Sequence, residues 1–370
     1  MAGIDDVARR AGVSATTVSR ALSGRGRVSE KTRERVRRVA DELGYVASAT
    51  AASLATGQTM SVGVLVSLTG RWYFATVLDG IAARLAPHGY DLTLYDLTDD
   101  AAQRQLLFET SLRRGRVDGI LALTVTLSDD EIDALLGLGL PVVGLGTPSP
   151  RVPALRVDDR AVARAAVAHL LALGHRRIAH IGNSKGPGAG CDVPTQRHDG
   201  FVEAMTDAGV PCPVFVQTDF TVADGRRATL ELLQREEPPT AIFAASDELA
   251  FGAIFAARER GLRVPDDLSI VGVDGHEMGE LFGLTTIDQF PRRQGERAAE
   301  HMLALLTATD DPTPPAAPPA TVPVVPARVP DISTTVPVIP ARVPAISATV
   351  LSEPLPFELV TRTSTAPPAE

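Results

Sequence analysis

The sequence predicts an all-α helix–turn–helix head joined to a two-lobed α/β body with parallel sheets. Residues 4–22 hold two short amphipathic segments around a Gly-Val-Ser turn. From Ser61 onward, short apolar runs alternate with amphipathic helical stretches. Charge is also segregated. Residues 1–58 carry ten Lys and Arg against six Asp and Glu, a net of +4, in a chain whose formal charge is −9. A small basic head on an acidic body suits phosphate binding by the head alone.

Ile4, Val7, Ala8 and Ala11 at helical spacing predict a first helix over 4–11. Gly12 tolerates positive φ and can end it. Ser14 can cap a second helix from Ala15 to Leu22. In that helix Val18 and Leu22 face inward. Thr16, Thr17, Ser19 and Arg20 form a polar side with no carboxylate to repel phosphate. Such a pair of helices lays its second member in a DNA major groove. The local pattern alone also fits a plain helical hairpin. A third helix is expected over Ser29–Leu43, with Val36, Val39, Ala40 and Leu43 inward and Lys31, Arg33, Arg35, Arg37 and Arg38 on its surface. Residues 46–58 are small and polar, a linker in which Leu54 stands out.

Strand-like runs follow at SVGVLVSL, YDLTLYDL, VDGILALTV and LPVVGLG, then again at RRIAHIG, PVFVQTDF, TAIFAAS and SIVGVDG, with helical stretches between them. This alternation with short loops predicts parallel sheets in two lobes. Ligands of such sheets sit beyond the carboxyl ends of the strands, so residues just after the strands are the site candidates. Trp72, Tyr73 and Phe74 follow the first strand, conspicuous in a chain only 4% aromatic. Phe220 is a second stacking candidate. Arg197 opens a helix, and Asp247 and Asp274 each follow a strand. An Arg fork with two carboxylates suits a polyol, whose hydroxyls both donate and accept. A strand-end Asp can equally cap the next helix, and Arg197 can equally form a surface ion pair.

Enzyme chemistry finds no foothold. GNSKGPGAG is neither a P-loop nor a dinucleotide-binding turn. No GxSxG or HExxH occurs. His169, His175 and His180 lack a metal-ligand spacing, and Cys191 and Cys212 form no CxxC pair. No cofactor or metal is expected. With no long apolar run and a charged amphipathic start, a cytoplasmic protein without membrane contact is expected. The rival is a solute-binding protein without DNA function, against which the basic head argues.

Residues 310–352 differ in kind. TVPVVPARVPDIST (321–334) is followed by TVPVIPARVPAISA (335–348), identical at 11 of 14 positions. Pro at every third or fourth position forbids helix and favours extended chain, so a mobile surface insertion is expected. No leucine heptad follows.

Asp6-Val7-Ala8, Ala11-Gly12-Val13-Ser14, Thr17-Val18-Ser19-Arg20, Val28-Ser29, Thr32-Arg33, Val36 and Leu43-Gly44-Tyr45 together resemble the LacI/GalR family of bacterial transcription regulators. The likeness continues to about residue 309 and resumes at 355–368. It implies a periplasmic-binding-protein-like body and five segments: a head at 1–45, a hinge helix at 46–60, a two-lobed ligand-binding and dimerisation domain at 61–309, the Pro-rich insertion at 310–352, and a closing strand and tail at 353–370. It implies base contacts from Ala15, Thr16 and Arg20, phosphate contacts from Thr17 and Ser19, and insertion of Leu54 into the minor groove. Val46-Ala47-Ser48 and Ala52 depart from the family's commoner basic hinge residues. The resemblance places Arg197, Asp247 and Asp274 in an effector cleft, with Gly146 where some members carry a carboxylate. The implied function is a dimeric, ligand-responsive repressor of carbohydrate-use genes. Its partners would be palindromic double-stranded operator DNA, a sugar effector and a second copy of the chain.

Overall fold

In a computed structural model, the described residues are 2–23, 27–45, 57–67, 70–98, 100–146, 149, 151–184, 192–210, 213–308 and 354–369. Leu54 with most of the linker, both cysteines and the proline repeat lie outside them.

Three helices form the head: α1 (Ile4–Ala11), α2 (Ala15–Ser23) and α3 (Glu30–Leu43). Gly12 ends α1 at φ +65°, where a side chain would be strained. Ser14 Oγ accepts from Thr17 N at 3.1 Å at the start of α2, and Ser29 caps α3 through Thr32 N. Val7, Val18 and Val36, one from each helix, are fully buried together. At about 1.5–3 kcal/mol for each such side chain, this small core holds the three helices in one arrangement.

The first lobe holds β1 (Ser61–Val66), α4 (Trp72–Leu85), β2 (Asp91–Asp96), α5 (Ala101–Leu106), β3 (Gly119–Leu123), α6 (Asp129–Leu136), β4 (Val142–Leu145) and β5 (Ala154–Leu155). Its parallel sheet runs β2-β1-β3-β4-β5. The second lobe holds α7 (Asp159–Ala172), β6 (Ile178–Gly182), α8 (Val193–Asp207), β7 (Val214–Gln217), α9 (Val222–Leu232), β8 (Ala241–Ala244), α10 (Asp247–Glu259), β9 (Ser269–Asp274), α11 (Gly279–Phe282) and β10 (Thr285–Asp288). The chain then returns to the first lobe as α12 (Pro291–Ala308), and β11 (Glu358–Val360) closes the second. That sheet runs β11-β10-β9-β8-β6-β7, parallel except for β11.

Three elements depart from the sequence expectation. The stretch 102–115 reads as one helix, yet after α5 it widens into a π turn at Leu107–Ser111 and tightens again at Leu112–Arg114. The wider turn brings Leu107, Phe108 and Leu112 onto one buried face. Trp72-Tyr73-Phe74, expected in a loop, is the first turn of α4. Arg197 lies inside α8, which starts at Val193 rather than at Arg197.

Among the described residues the chain passes between the lobes near residues 156–158, 289–290 and 355–357. Leu355 N donates to Arg156 O at 2.7 Å, tying two of them side by side. α12 packs on α4 by way of Gly80 and Gly295, where an added Cβ would strike the facing helix backbone. A long element from beyond the hinge thus forms part of the first lobe's core, through Ala298, Ala299 and Met302.

Candidate effector cleft and DNA-reading face

Between the lobes lies a cavity of about 250 Å³, at the carboxyl ends of strands from both sheets. Its first-lobe wall includes Tyr73, Phe74, Thr124, Thr126 and Gly146; its second-lobe wall includes Asp159, Arg197, Phe220, Glu248 and Asp274.

Arg197 is only 4% exposed. Its Nε donates to Asp159 Oδ1 at 2.9 Å and its Nη1 to Ala245 O at 2.6 Å. Asp274 Oδ1 lies 4.0 Å from Nη1 and accepts from Gln289 Nε2 at 2.8 Å. Asp274 ends β9 at φ +126°, an uncommon conformation for a residue with a Cβ. Burial pushes its carboxyl up to about 7, against the pull of Arg197. Burial raises Asp159 as well, again opposed by Arg197. The second-lobe wall is therefore a compact charge cluster already satisfied by its own partners.

Across the cavity, the Tyr73 hydroxyl donates to Gln294 Oε1 at 2.8 Å. Gln294 Nε2 donates to the carbonyl of Gln289 at 2.7 Å. Gln289, in the second crossing, thus connects a first-lobe hydroxyl to a second-lobe carboxylate. At the mouth, Arg71 Nη1 donates to Glu248 Oε2 at 3.3 Å, with both side chains mostly buried.

Of the sequence candidates, Tyr73, Phe74, Arg197, Phe220 and Asp274 line the cavity. Trp72 and Asp247 do not. Trp72 stacks on His276, with ring centroids 4.3 Å apart and 22° between planes. Asp247 is fully buried, accepting from His276 N at 2.7 Å and from Thr286 Oγ1 at 2.6 Å. Burial raises its pKa well above the usual range. Sequence reasoning missed Asp159, Glu248, Gln289, Gln294 and Arg71. Asp247 and Glu248 begin one helix about 100° apart in projection, so one points into the sheet and its neighbour into the cleft. Only the helix phase separates them, although a charged pair at a strand end was there to be read.

In the head, Thr16 and Arg20 are exposed on α2, and Ala15, Thr17 and Ser19 are half-buried. Thr17 Oγ1 lies 2.9 Å from Ser14 Oγ, which places it at the start of the helix. Among the described residues no helix is long and apolar enough to cross a membrane.

Residues 3–48 match the bacterial regulatory proteins of the lacI family, and residues 167–326 match the periplasmic binding protein-like domain. The transcriptional regulator DegA of Bacillus subtilis (strain 168) is 35% identical over 302 residues, covering 79% of this chain and 88% of DegA. This chain belongs to the lacI family of bacterial regulatory proteins. The transcriptional repressor PurR of Erwinia tasmaniensis is 35% identical over 322 residues, 83% of this chain and 91% of that one. The lac repressor dimer bound to operator and the anti-inducer ONPF superposes with a TM-score of 0.78 at 26% identity, covering 99% of both chains. A complex of the transcriptional regulator CelR with cellobiose gives 0.63 at 27% identity, covering 98% of this chain and all of that one. This lacI-family member is a DNA-binding, ligand-responsive transcription regulator of the repressor type.

Proposed function

We propose that the chain is a dimeric repressor whose cleft takes a neutral, polyhydroxylated effector of the carbohydrate class. The observation that carries this reading is the charge pairing of the cavity wall. Arg71 is paired with Glu248 and Arg197 with Asp159, so among the described residues both cations that line the cavity are already held by carboxylates, which disfavours an anionic ligand. Neutral hydroxyls suit the wall instead: they donate to Asp274 and Asp159 and accept from the Gln289 and Gln294 amides. Tyr73, Phe74 and Phe220 supply apolar faces for a sugar ring. Those aromatic faces also fit a planar heterocycle, and PurR repressors are among the relatives. A neutral purine base is therefore the second reading.

The head would read an operator half-site through Ala15, Thr16 and Arg20 and hold phosphates through Thr17 and Ser19, with Leu54 as the minor-groove wedge. The dimer would form on the apolar surface of Phe255, Met278 and Leu281, of which Leu281 is 84% exposed. A palindromic site follows from two-fold symmetry.

Titration calorimetry with neutral mono- and disaccharides, their phosphates and neutral purines tests the cleft. A neutral sugar that binds and changes operator affinity supports the reading; binding only of phosphorylated sugars overturns it. For the head, Arg20→Ala is expected to cost about 1–3 kcal/mol of specific DNA affinity and relax one base position, measured by fluorescence anisotropy on operator and scrambled duplexes. Equal loss on both duplexes would make Arg20 a phosphate contact instead.

A further inference from the structure

The N-terminus of α4 presents an unusual end. Its N-cap is Arg71, whose side chain makes no capping bond to the helix. The carboxylate facing this end comes from the opposite lobe. Glu248 accepts from Arg71 Nη1 at 3.3 Å and lies against the Trp72 backbone N–H. An acidic group there complements the positive end of the helix dipole. One residue on, the Trp72 ring lies flat on His276 at 4.3 Å. His276 is buried and meets Phe251 edge-on, with ring centroids 5.2 Å apart. Its Nδ1 accepts from Met278 N at 3.0 Å, which fixes the ring.

Arg71 and Trp72 follow β1 of the first lobe; Glu248 and His276 follow β8 and β9 of the second. Both contacts therefore cross the cleft, and both Arg71 and Glu248 line its cavity. The two lobes share no continuous chain at this edge, because the crossings run through residues 156–158, 289–290 and 355–357.

We propose that Arg71 and Trp72 with Glu248 and His276 form a clasp between the lobes, which holds the cleft closed and must part for an effector to enter or leave. Each lobe supplies half of the contact, so hinge opening breaks the ion pair and the ring stack together. Relative motion of two packed units around a few hinge residues is the ordinary mode for such folds. A clasp adds a stable closed end point whose population bears on how tightly any ligand is held. The assignment rests on reading the cleft as the effector site. Its test needs neither effector nor DNA, so the clasp and the effector reading can fail separately.

Trp72 is the sole tryptophan of the chain, so its emission reports the clasp directly. The experiment is acrylamide quenching of the full-length protein in wild-type, Glu248→Ala and Arg71→Ala forms, with Arg258→Ala as control. Arg258 sits over the Phe282 ring on the same helix as Glu248 but outside the clasp. The expected result is a several-fold rise in the quenching constant and a red shift of emission in Glu248→Ala and Arg71→Ala, and neither change in the control. Neither substitution removes a ring from the Trp72–His276 stack, but both remove a neighbour of Trp72, so lobe separation as distinct from local exposure is read from the dimensions of the same variants. Small-angle scattering should show the same variants more expanded. If either well-folded variant, judged by circular dichroism, keeps wild-type quenching and dimensions, the clasp is overturned. If Glu248→Ala does not fold, Arg71→Ala decides alone, since it alters the first-lobe side and leaves α10 intact. Wild-type Trp72 quenched as freely as tryptophan in solution would also overturn it.

Discussion

The two lobes share one α/β plan and meet the cleft with different chemistry. The second lobe presents Asp159, Arg197 and Asp274, charges held in place by one another and by backbone, together with Glu248, which pairs with Arg71 of the first lobe. The first lobe, apart from Arg71 at the mouth, presents rings, hydroxyls and one amide: Tyr73, Phe74, Thr124, Thr126 and Gln294, with Gly146 adding no side chain. Buried charges can be fixed only where several partners converge. In the second lobe the ends of β8 and β9 and the starts of α7 and α8 supply that convergence within one rigid unit. The contrast teaches a division of labour: the charged hydrogen-bonding groups stand mainly on one lobe, and rings and neutral polar groups on the other.

The strongest way to break this comparison is Arg197→Ala. It leaves Asp159 and Asp274 facing each other without their cation. Removing one partner of a buried ion pair costs about 3–5 kcal/mol, and that loss is expected in urea unfolding of the second lobe. A variant as stable as wild type would mean that the carboxylates take up protons at no cost, and the cluster would not be a fixed charge array.

Acid stability sharpens the comparison next. His180, buried in β6, stacks on Phe243 at 4.6 Å and holds only the Phe243 carbonyl through Nδ1. Burial lowers its pKa to about 3. The folded state therefore holds fewer protons here than the unfolded chain. Stability from this group is full above the ordinary histidine value of 6.5 and is lost as pH falls from there toward 3. The loss should reach a few kcal/mol, because each tenfold change in proton affinity is worth about 1.4 kcal/mol, and it should fall on the second lobe. Thermal melts between neutral and acid pH check it. His180→Phe should flatten the acid limb; an unchanged limb would place the effect on other groups.

The smallest effect is expected in the first lobe. Tyr73→Phe deletes one neutral hydrogen bond to Gln294 and should cost about 0.5–1.5 kcal/mol, seen as a modest fall in Tm. A loss as large as that of Arg197→Ala would show that Tyr73 supports the Gln294–Gln289–Asp274 chain, and the division between lobes would fail.

Much of the plan was legible along the chain. The head's two capped helices and Gly12 turn are local features, fixed by spacing, a hydroxyl and a positive φ. The alternation of strand and helix from Ser61 to Asp274 is local as well, because apolar period and turn residues act within a few positions. The return of α12 to the first lobe was not legible. Its amphipathic pattern says that one face is buried, and only the close backbone approach of the two helices at Gly80 and Gly295 says against what.

The cleft divides in the same way. Sequence determined which residue types stand at strand ends and in the helices that follow, and so marked Phe220 and Asp274, Arg197 in α8, and Tyr73 and Phe74 of the aromatic run. Tertiary structure alone decided where their neighbours point. It turned Asp247 into the sheet and Glu248 into the cleft, moved Trp72 from the cavity wall onto His276, and brought Asp159, Gln289 and Gln294 to the site from the start of a helix and from the hinge. The physical reason is range. Helix caps, turns and amphipathic periods are set by interactions a few residues long. The direction of a side chain in a cleft depends on helix phase and on partners distant along the chain, which no window of sequence contains.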